Sequence, residues 1–368
     1  VATVSERLRR KGLLAGWTVA KAVAGRRYVV QSDGTTIREP HGYTVVVSYA
    51  SVSGNNGLHL EDQRQWVGRR LEDLPSVAEM AAETEAMGKA LQARLRAKKV
   101  AYYQGPVVFE GDAASQLFAQ LLPASLEGTP PPPDPETSFE QLIRQGPRLK
   151  RRVLPTGWRV SDNPRAPDFA GRFQYDDDGV ASERVDLVRN GLVINMLMSR
   201  VPRRDLRRSN GHARGDFARM SAWEVTPARG LAQRAFERQV KRLRKSNELS
   251  RVLVVRQLNM DRAGEVVTPT DAVWRYPDGR EEPASALEFQ GVDRRTLYNI
   301  AAVTRTTHRL NYLGARRPSG YRSTTSGLPM TLTTPDKVVV SDMELIYPGA
   351  NRQPLAIPPP PMSALTTH

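Results

Sequence analysis

Histidines, the side chains best suited to binding metal or moving protons, are few and scattered in this sequence. The 368 residues include five histidines and no cysteine. No two histidines lie close enough to form a local metal motif, such as a pair on one helix face. A hydrolase whose metal ligands meet only in the fold would leave no spacing signature, so it stays open as an alternative. Its ligands would come from carboxylates and from His41, His59, His212 and His308; the fifth histidine, His368, ends the chain.

Two other polar groups could do chemistry. The run Asp176-Asp177-Asp178 could bind a divalent cation, but neighbouring side chains diverge along an extended backbone, which favours a turn before a strand. His212 and Arg214 could contact a substrate carboxylate or backbone carbonyl, and a glycine-rich loop with incidental charge is an equal alternative. His308 lies in a strand pattern and is predicted at the core or its rim. Neither a Gly-x-Ser-x-Gly nucleophile motif nor a phosphate-binding loop occurs.

The first part of the chain predicts an antiparallel sheet followed by two helices. Strands are expected at 27–31 and 35–38 around a turn at 32–34, and at 43–52. A capping box of Ser76 and Glu79 opens a helix over 76–98. A short strand at 107–110 then leads into a helix over 112–122, with Asp112 as its cap and Pro123 as its stop.

Hairpins dominate the second part. The strongest is centred on Asn190-Gly191 between strands at 185–188 and 193–198. A second surrounds a turn at 277–279, and 318–335 reads as a long loop. Together the elements predict an α+β fold of largely antiparallel sheets with a few inserted helices. A basic amphipathic helix is further expected at 231–247, with Phe236, Val240 and Leu243 on its apolar face. A short helix is expected at 294–303, and strands at 251–258, 306–312 and 337–347.

The segment from Gly105 to Gly128 carries a resemblance to a known family. Gly105-Pro106 precedes a strand, an acidic-Ala-Ala helix start follows at 112–114, and the segment ends in Leu126-Glu127-Gly128. This order resembles the zinc helix of the TldD/PmbA (TldE) metallopeptidase family. In that family the helix carries His-Glu-x-x-x-His, in which two imidazoles hold zinc and the carboxylate activates a water.

The aligned positions carry none of these groups. Lining up both flanks without a gap places Ala119 and Ala124 at the two histidines and Gln120 at the glutamate. The methyl groups cannot bind zinc, and the neutral amide cannot act as a general base. The third ligand expected from the family is a cysteine near the C-terminus, which this chain lacks. The resemblance therefore implies no catalytic residue, no bound metal and no other cofactor.

Further matches follow in the family's order. They are the acidic turn at 175–179, the Asn190-Gly191 hairpin, the segment at 209–214, Arg219-Met220-Ser221, the turn at 276–280 and the terminal strand. The resemblance covers residues 25–350 and implies an N-terminally truncated member. Residues 1–104 would be the remainder of an N-terminal α+β domain. Residues 105–353 would form a mostly-β C-terminal domain with a proline-rich connector at 129–137, and 354–368 would be an extended tail.

By resemblance, the chain is expected to be a TldE-like, non-catalytic subunit that shapes the peptide cleft of a zinc metallopeptidase. It would form a homodimer, or a heterodimer with a zinc-bearing TldD-like subunit, and would act on peptides or unfolded proteins in the cytoplasm. An exported form stays open. The residues expected to line the substrate cleft are His212, Arg214 and Arg219.

Charge supports a second class of function. The formal net charge is +15, with arginine-rich runs at 200–219 and 234–245. Such a field favours acidic partners, including nucleic acid. No recognisable nucleic-acid module accompanies it, so solvated helix faces are the simpler interpretation. No apolar run reaches the roughly 18 residues of a membrane span, so no membrane partner is expected.

Overall fold

The computed structural model describes residues 1–54, 57–129, 147–260, 268–314 and 325–348. Strands predominate in these ranges and form three sheets, with a few helices between and beside them. The predicted α+β class with largely antiparallel sheets is therefore confirmed. Within the same ranges, no helix combines the length and apolar character needed to cross a membrane. The segment 354–368 and most of the predicted connector at 129–137 lie outside the described residues.

The first sheet contains three antiparallel strands in sequential order. They are β1 (Ala15–Val30), β2 (Thr36–Ser53) and β3 (His59–Gly68). The central strand β2 is buried on both faces: Val45 and Val47 pack in one apolar cluster and Val46 packs in another. The predicted turn and the strand at 43–52 are present, but β1 begins twelve residues before the predicted 27, because its alternation uses small and charged residues rather than large apolar ones.

Helices flank this sheet. Helix α1 (Ala2–Glu6) packs on α2 (Val77–Arg96), and α2 packs on β2 and β3. The predicted capping box is present, because the Ser76 hydroxyl accepts a hydrogen bond from the Glu79 amide and the Glu79 carboxylate accepts one from the Ser76 amide. A short 3₁₀ helix (Leu71–Asp73) joins the sheet to α2.

The second sheet has the order β11-β10-β9-β4-β16-β12, with β13 added beside β16. Most neighbours are antiparallel, but β4 and β9 run parallel. Strand β4 enters at Tyr102, five residues before the predicted strand. The bounds are β4 (Tyr102–Glu110), β9 (Val252–Leu258), β10 (Pro269–Arg275), β11 (Glu281–Pro283), β12 (Glu288–Gln290), β13 (Ile300–Val303) and β16 (Lys337–Ile346).

The third sheet has the order β14-β15-β8-β5-β6-β7, with a parallel pairing between β15 and β8. Strands β14 and β15 have eight residues each, and the other four strands have two to five. Their bounds are β5 (Arg159–Asp162), β6 (Val185–Arg189), β7 (Leu192–Val193), β8 (Ala222–Thr226), β14 (Thr307–Gly314) and β15 (Leu328–Pro335).

Helix α3 (Asp112–Leu121) lies between the second and third sheets, where it contacts β4, β9, β14 and β15. Its residues from Ala113 to Leu121 are all buried. The short helix α4 (Pro123–Leu126) follows directly. Helix α5 (Gln233–Ser246) packs its apolar face on β4 and β13 and exposes its basic face.

Some local predictions were wrong. Residues 328–335 were assigned to a loop but form β15, because β14 and β8 supply hydrogen-bonding partners on both sides of it. The helix predicted at 294–303 is a 3₁₀ helix (Arg294–Asn299) followed by β13. The cap of α3 is Gly111, and Asp112 occupies the first helical position.

The Asn190-Gly191 hairpin is present, but its return strand ends at Val193 rather than at 198. Both turn residues have positive φ, 54° and 75°, as a type I′ turn requires. A side chain at Gly191 would also overlap the carbonyl oxygens of Leu154 and Pro155. The turn therefore depends on glycine for both conformation and space.

Candidate functional site

The helix that resembles the family's zinc helix is buried at the centre of the molecule and is interrupted. Ala119 is 7% exposed and Gln120 is 2% exposed on α3, whereas Ala124 is exposed on α4. Pro123, which has no amide hydrogen to continue the ladder, begins the second helix. The two alanines at the histidine positions therefore belong to different helices.

The side-chain amide of Gln120 is held by contacts with the segment that follows β9. Its Nε2 lies 3.3 Å from the Asn259 carbonyl oxygen and 3.0 Å from Met260 Sδ. An amide nitrogen placed in this way is a donor, and neither atom of a neutral amide accepts a proton near neutral pH. Zinc prefers imidazole, thiolate and carboxylate ligands, so methyl groups at 119 and 124 and an amide at 120 do not fit the metal of the family.

Amide side chains line a narrow recess of about 50 Å³ between β3 and α3. Gln116 lies one helical turn before Gln120, and its Oε1 accepts a hydrogen bond of 2.7 Å from the Leu258 amide. On the opposite wall, Gln65 Oε1 accepts one of 2.8 Å from the Leu313 amide. The other amide-bearing residues that line the recess are Gln63, Gln257 and Asn259.

A pair of charged residues flanks this recess. His308 Nε2 lies 2.7 Å from Asp112 Oδ1, and this hydrogen bond raises the pKa of His308 above its ordinary value. His308 is partly buried at the edge of β14, which agrees with its predicted place at the rim of the core. Within the described ranges, no group of three His, Asp or Glu side chains is arranged so that it could hold a metal ion, and this includes His308 and Asp112.

Two segments with family resemblance meet inside the protein. Glu127, from the Leu-Glu-Gly segment, accepts a hydrogen bond of 2.9 Å from the Met220 amide and lies 3.3 Å from Arg219 Nη1. Burial raises the pKa of Glu127, although Arg219 opposes this effect. Arg219 is 3% exposed. Its predicted place in a substrate cleft stays a prediction, and the contact observed is a buried ion pair that joins two loops.

His212 is also fully buried. Its Nδ1 lies 3.0 Å from both the backbone and side-chain oxygens of Asn210, and its Nε2 lies 3.8 Å from Asp162 Oδ1. Asp162 accepts hydrogen bonds from the Ser221 hydroxyl and amide and from the next amide along β8. Burial would raise the pKa of Asp162, but His212 and Ser221 outweigh it, so the pKa is lowered.

Arg214 is the predicted cleft residue that does line a cavity. Its guanidinium donates to the carbonyls of Met220 at 2.7 Å and Pro329 at 2.8 Å, and it lies 5.7 Å and 5.6 Å from the ring centres of Phe169 and Phe173. Burial lowers its pKa to about 10.

The acidic turn is a structural element, as the sequence favoured. Asp176 is fully buried and accepts hydrogen bonds from the amides of Asp178, Val180 and Ala213. Burial nevertheless raises its pKa to about 6. Asp177 and Asp178 point elsewhere, to the Gly215 and Arg200 amides respectively. The three carboxylates therefore diverge.

Two buried carboxylates that organise the loops around the predicted site residues were not predicted from the sequence. Asp162 organises the start of β8 without any recognisable motif around it. Glu127 was quoted only as part of a motif, and its acidic character in Leu-Glu-Gly was the available signal. His41 and His59 lie on β2 and β3, and His41 lines the same cavity as Arg214. His368 is outside the described residues.

Comparisons with known proteins agree with this picture. Residues 103–345 match the family model described as PmbA/TldA metallopeptidase C-terminal domain. A curated relative, metalloprotease PmbA of Escherichia coli O157:H7, is 24% identical over 170 residues, which is 46% of this chain. The match spans 35% of the length of that relative.

Solved structures share the fold at low identity. A protein described as a modulator of DNA gyrase from Thermotoga maritima superposes with a TM-score of 0.63 at 13% identity, covering 93% of this chain and 72% of that one. TldE from Thermococcus kodakarensis gives 0.61 at 14% identity, covering 89% and 68%. Because the family model matches more than half of the residues, the chain belongs to the PmbA/TldD metallopeptidase family.

Proposed function

We propose that this chain is a non-catalytic, TldE-like member of the family that shapes the peptide cleft of a zinc metallopeptidase complex in proteolysis or peptide maturation. The observation that carries the proposal is the chemistry of the central helices. Ala119, Gln120 and Ala124 offer no zinc ligand and no general base at the positions aligned with the family motif. The catalytic zinc would then be supplied by a partner subunit.

The recess beside α3 supports a role in peptide binding. At about 50 Å³ it can take one small group of a peptide, and the amide atoms that are not already bonded within the protein can donate to that group or accept from it. A subunit without catalytic groups can still orient a peptide whose reacting bond lies in the partner's site. The partner is proposed to be a zinc-bearing TldD-like subunit or, for binding alone, a second copy of this chain.

Peptide hydrolysis with defined subunits tests this role. A fluorescein-labelled unfolded protein is incubated with this chain alone, with a zinc-bearing TldD-like subunit alone, and with both. We expect no cleavage by this chain alone and faster cleavage by the mixture than by the partner alone. The matched control is a partner whose zinc-helix glutamate is changed to glutamine, which should silence the mixture. Cleavage by this chain alone, lost with a chelator and restored with zinc, would contradict the proposal.

A second candidate function rests on helix α5. Its exposed face carries cationic residues without carboxylate partners among the described residues, while Phe236 anchors the opposite face. Such a face suits the phosphates of nucleic acid. Duplex DNA binding that falls steeply with added salt would support this role, and no binding at 150 mM salt would exclude it. The exposed cations are Arg234, Arg238, Lys241, Arg242 and Lys245.

A further inference from the structure

A cavity of about 470 Å³ lies between the first sheet and the loops that precede β6, β8 and β15. One wall is the β1–β2 hairpin with the end of β3, and the other contains the segments 170–173 and 326–329. This volume is in the range of pockets that bind small molecules or a short stretch of peptide. Helix α3 and the amide-lined recess do not contribute to its walls.

The walls are strongly cationic. Two carboxylates, those of Glu39 and Asp177, face six permanent cations, which are Lys21, Arg27, Arg69, Arg70, Arg172 and Arg214. Both carboxylates are already engaged within the protein. Glu39 Oε2 accepts a hydrogen bond of 2.8 Å from Arg27, and Asp177 bonds with Arg27 and with the Gly215 amide. One cation, Arg27, therefore pairs with both acids, and neither acid forms an ion pair with the other five cations among the described residues.

Three of these arginines are exposed and face the cavity without an acidic partner. Within the described ranges, no carboxylate forms an ion pair with Arg69, Arg70 or Arg172. Lys21 Nζ donates to the Ser326 hydroxyl at 2.8 Å, and no carboxylate of the described residues forms an ion pair with it. A cavity with one sign of charge and low-dielectric walls concentrates ions of the opposite sign.

The base of the cavity adds a buried cation. Arg214 is 6% exposed, and it uses two of its nitrogens on backbone carbonyls. Its Cζ also lies 5.7 Å and 5.6 Å from the ring centres of Phe169 and Phe173, and these contacts together with the two hydrogen bonds hold the guanidinium in place. Guanidinium groups bind carboxylates in a planar, two-point geometry, and a fixed group loses less conformational entropy on binding.

We propose that this cavity binds an acidic segment of a peptide, with the exposed arginines attracting the carboxylates and Arg214 receiving one of them at the base. The proposal takes its ligand class from the proposed peptide-binding role and names the preferred peptide as one rich in Asp and Glu. A peptide is favoured over nucleic acid because the cavity is enclosed on two sides, whereas the open face of α5 suits a duplex.

Fluorescence anisotropy on the intact chain tests the proposal. The probes are a labelled octapeptide of glutamate, the matched glutamine octapeptide and a labelled single-stranded DNA octamer. The variants are R69S/R70S and, as a control that removes the same charge elsewhere, R234S/R238S on α5. All four positions are exposed. Thermal melts establish that both variants fold.

We expect the glutamate peptide to bind at least about tenfold more tightly than the glutamine peptide, because the attraction is between charges. R69S/R70S should weaken its binding about fivefold or more, and R234S/R238S less than twofold. Equal losses in the two variants, or equal affinity for the two peptides, would overturn the proposal. Tighter DNA binding that R69S/R70S abolishes would also overturn it. None of these readouts requires hydrolysis or zinc, so failure here would leave the proposed subunit role standing.

Discussion

Arg94 is the residue whose removal we expect to destabilise the protein most clearly. It lies on α2, beside the first sheet. Its buried guanidinium nevertheless donates to backbone carbonyls of strand β10 in the second sheet and of the segment that directly follows β11. The distances are 2.9 Å to both Ala284 and Pro269 and 3.4 Å to Ser285, and Thr270 is a fourth acceptor. One side chain therefore joins two parts of the fold.

The magnitude follows from opposing terms. Hydrogen bonds from a charged group contribute about 1.5–3 kcal/mol each. Burial of the guanidinium opposes them, and this desolvation lowers the pKa of Arg94. Replacing Arg94 by methionine leaves the carbonyls unpaired, so we expect the free energy of unfolding to fall by about 3–5 kcal/mol.

Urea unfolding followed by tryptophan fluorescence measures this change. The matched control is R96M, which removes an exposed arginine two positions away on the same helix. It should change the free energy of unfolding by less than about 0.5 kcal/mol. If R94M and R96M differ by less than about 1 kcal/mol, the reasoning about the buried guanidinium is refuted.

Three further predictions concern stability. G191A should lower the free energy of unfolding by about 2–4 kcal/mol, because the added methyl group overlaps neighbouring carbonyl oxygens at a position whose φ is 75°. G279A, at a φ of 89° with open space around it, should lower it by only about 1 kcal/mol. Equal losses in urea unfolding would contradict this reasoning. Asp176 has a folded pKa of about 6 against 3.8, so its contribution to stability is complete below pH 3.8 and should fall by about 2 kcal/mol between pH 4 and 6, out of about 3 kcal/mol lost once the pH is well above 6. D176N should lack this decline, and parallel pH profiles would argue against it. Asp112 raises the pKa of His308, so the stabilisation from this pair is complete below pH 6.5 and is lost as the pH rises through the folded pKa. The variant H308Q should not show this loss, and urea unfolding midpoints measured between pH 6 and 8 would reveal the difference.

The sequence predicted the elements that have strong local signals. The capping box of Ser76 and Glu79, the Asn190-Gly191 turn and the amphipathic face of α5 each specify a structure from neighbouring residues alone. Strand β15 was missed because its conformation depends on pairing with β14 and β8 rather than on its own residues. Part of the long loop that the composition suggested in fact supplies an interior strand of the third sheet.

The candidate site was predicted only in part, for a related reason. The identities of Ala119, Gln120 and Ala124 could be read from the sequence, and their chemistry needs no structure to interpret. Exposure could not be read in the same way. His212 and Arg219 look like binding residues in the sequence, but long-range partners, Asp162 and Glu127, enclose them in the interior.

The cationic cavity could not have been predicted from local sequence, because its walls come from segments about 300 residues apart, from Lys21 to Pro329. The sequence shows a surplus of arginine, but only the fold shows where that charge lacks partners. Charge compensation is a property of the packed structure, since Arg27 reaches Asp177 across 150 positions.

Zinc content per chain, measured together with molecular mass, tests the central claim most directly. The protein is incubated with excess zinc, passed through a gel-filtration column with light scattering, and its metal content is measured by mass spectrometry. We predict a dimer-sized peak that carries essentially no zinc, because the helix positions offer no ligands. Tightly bound zinc at about one ion per chain would contradict the account, because it would require a metal site outside α3 and α4 and a catalytic role for this subunit.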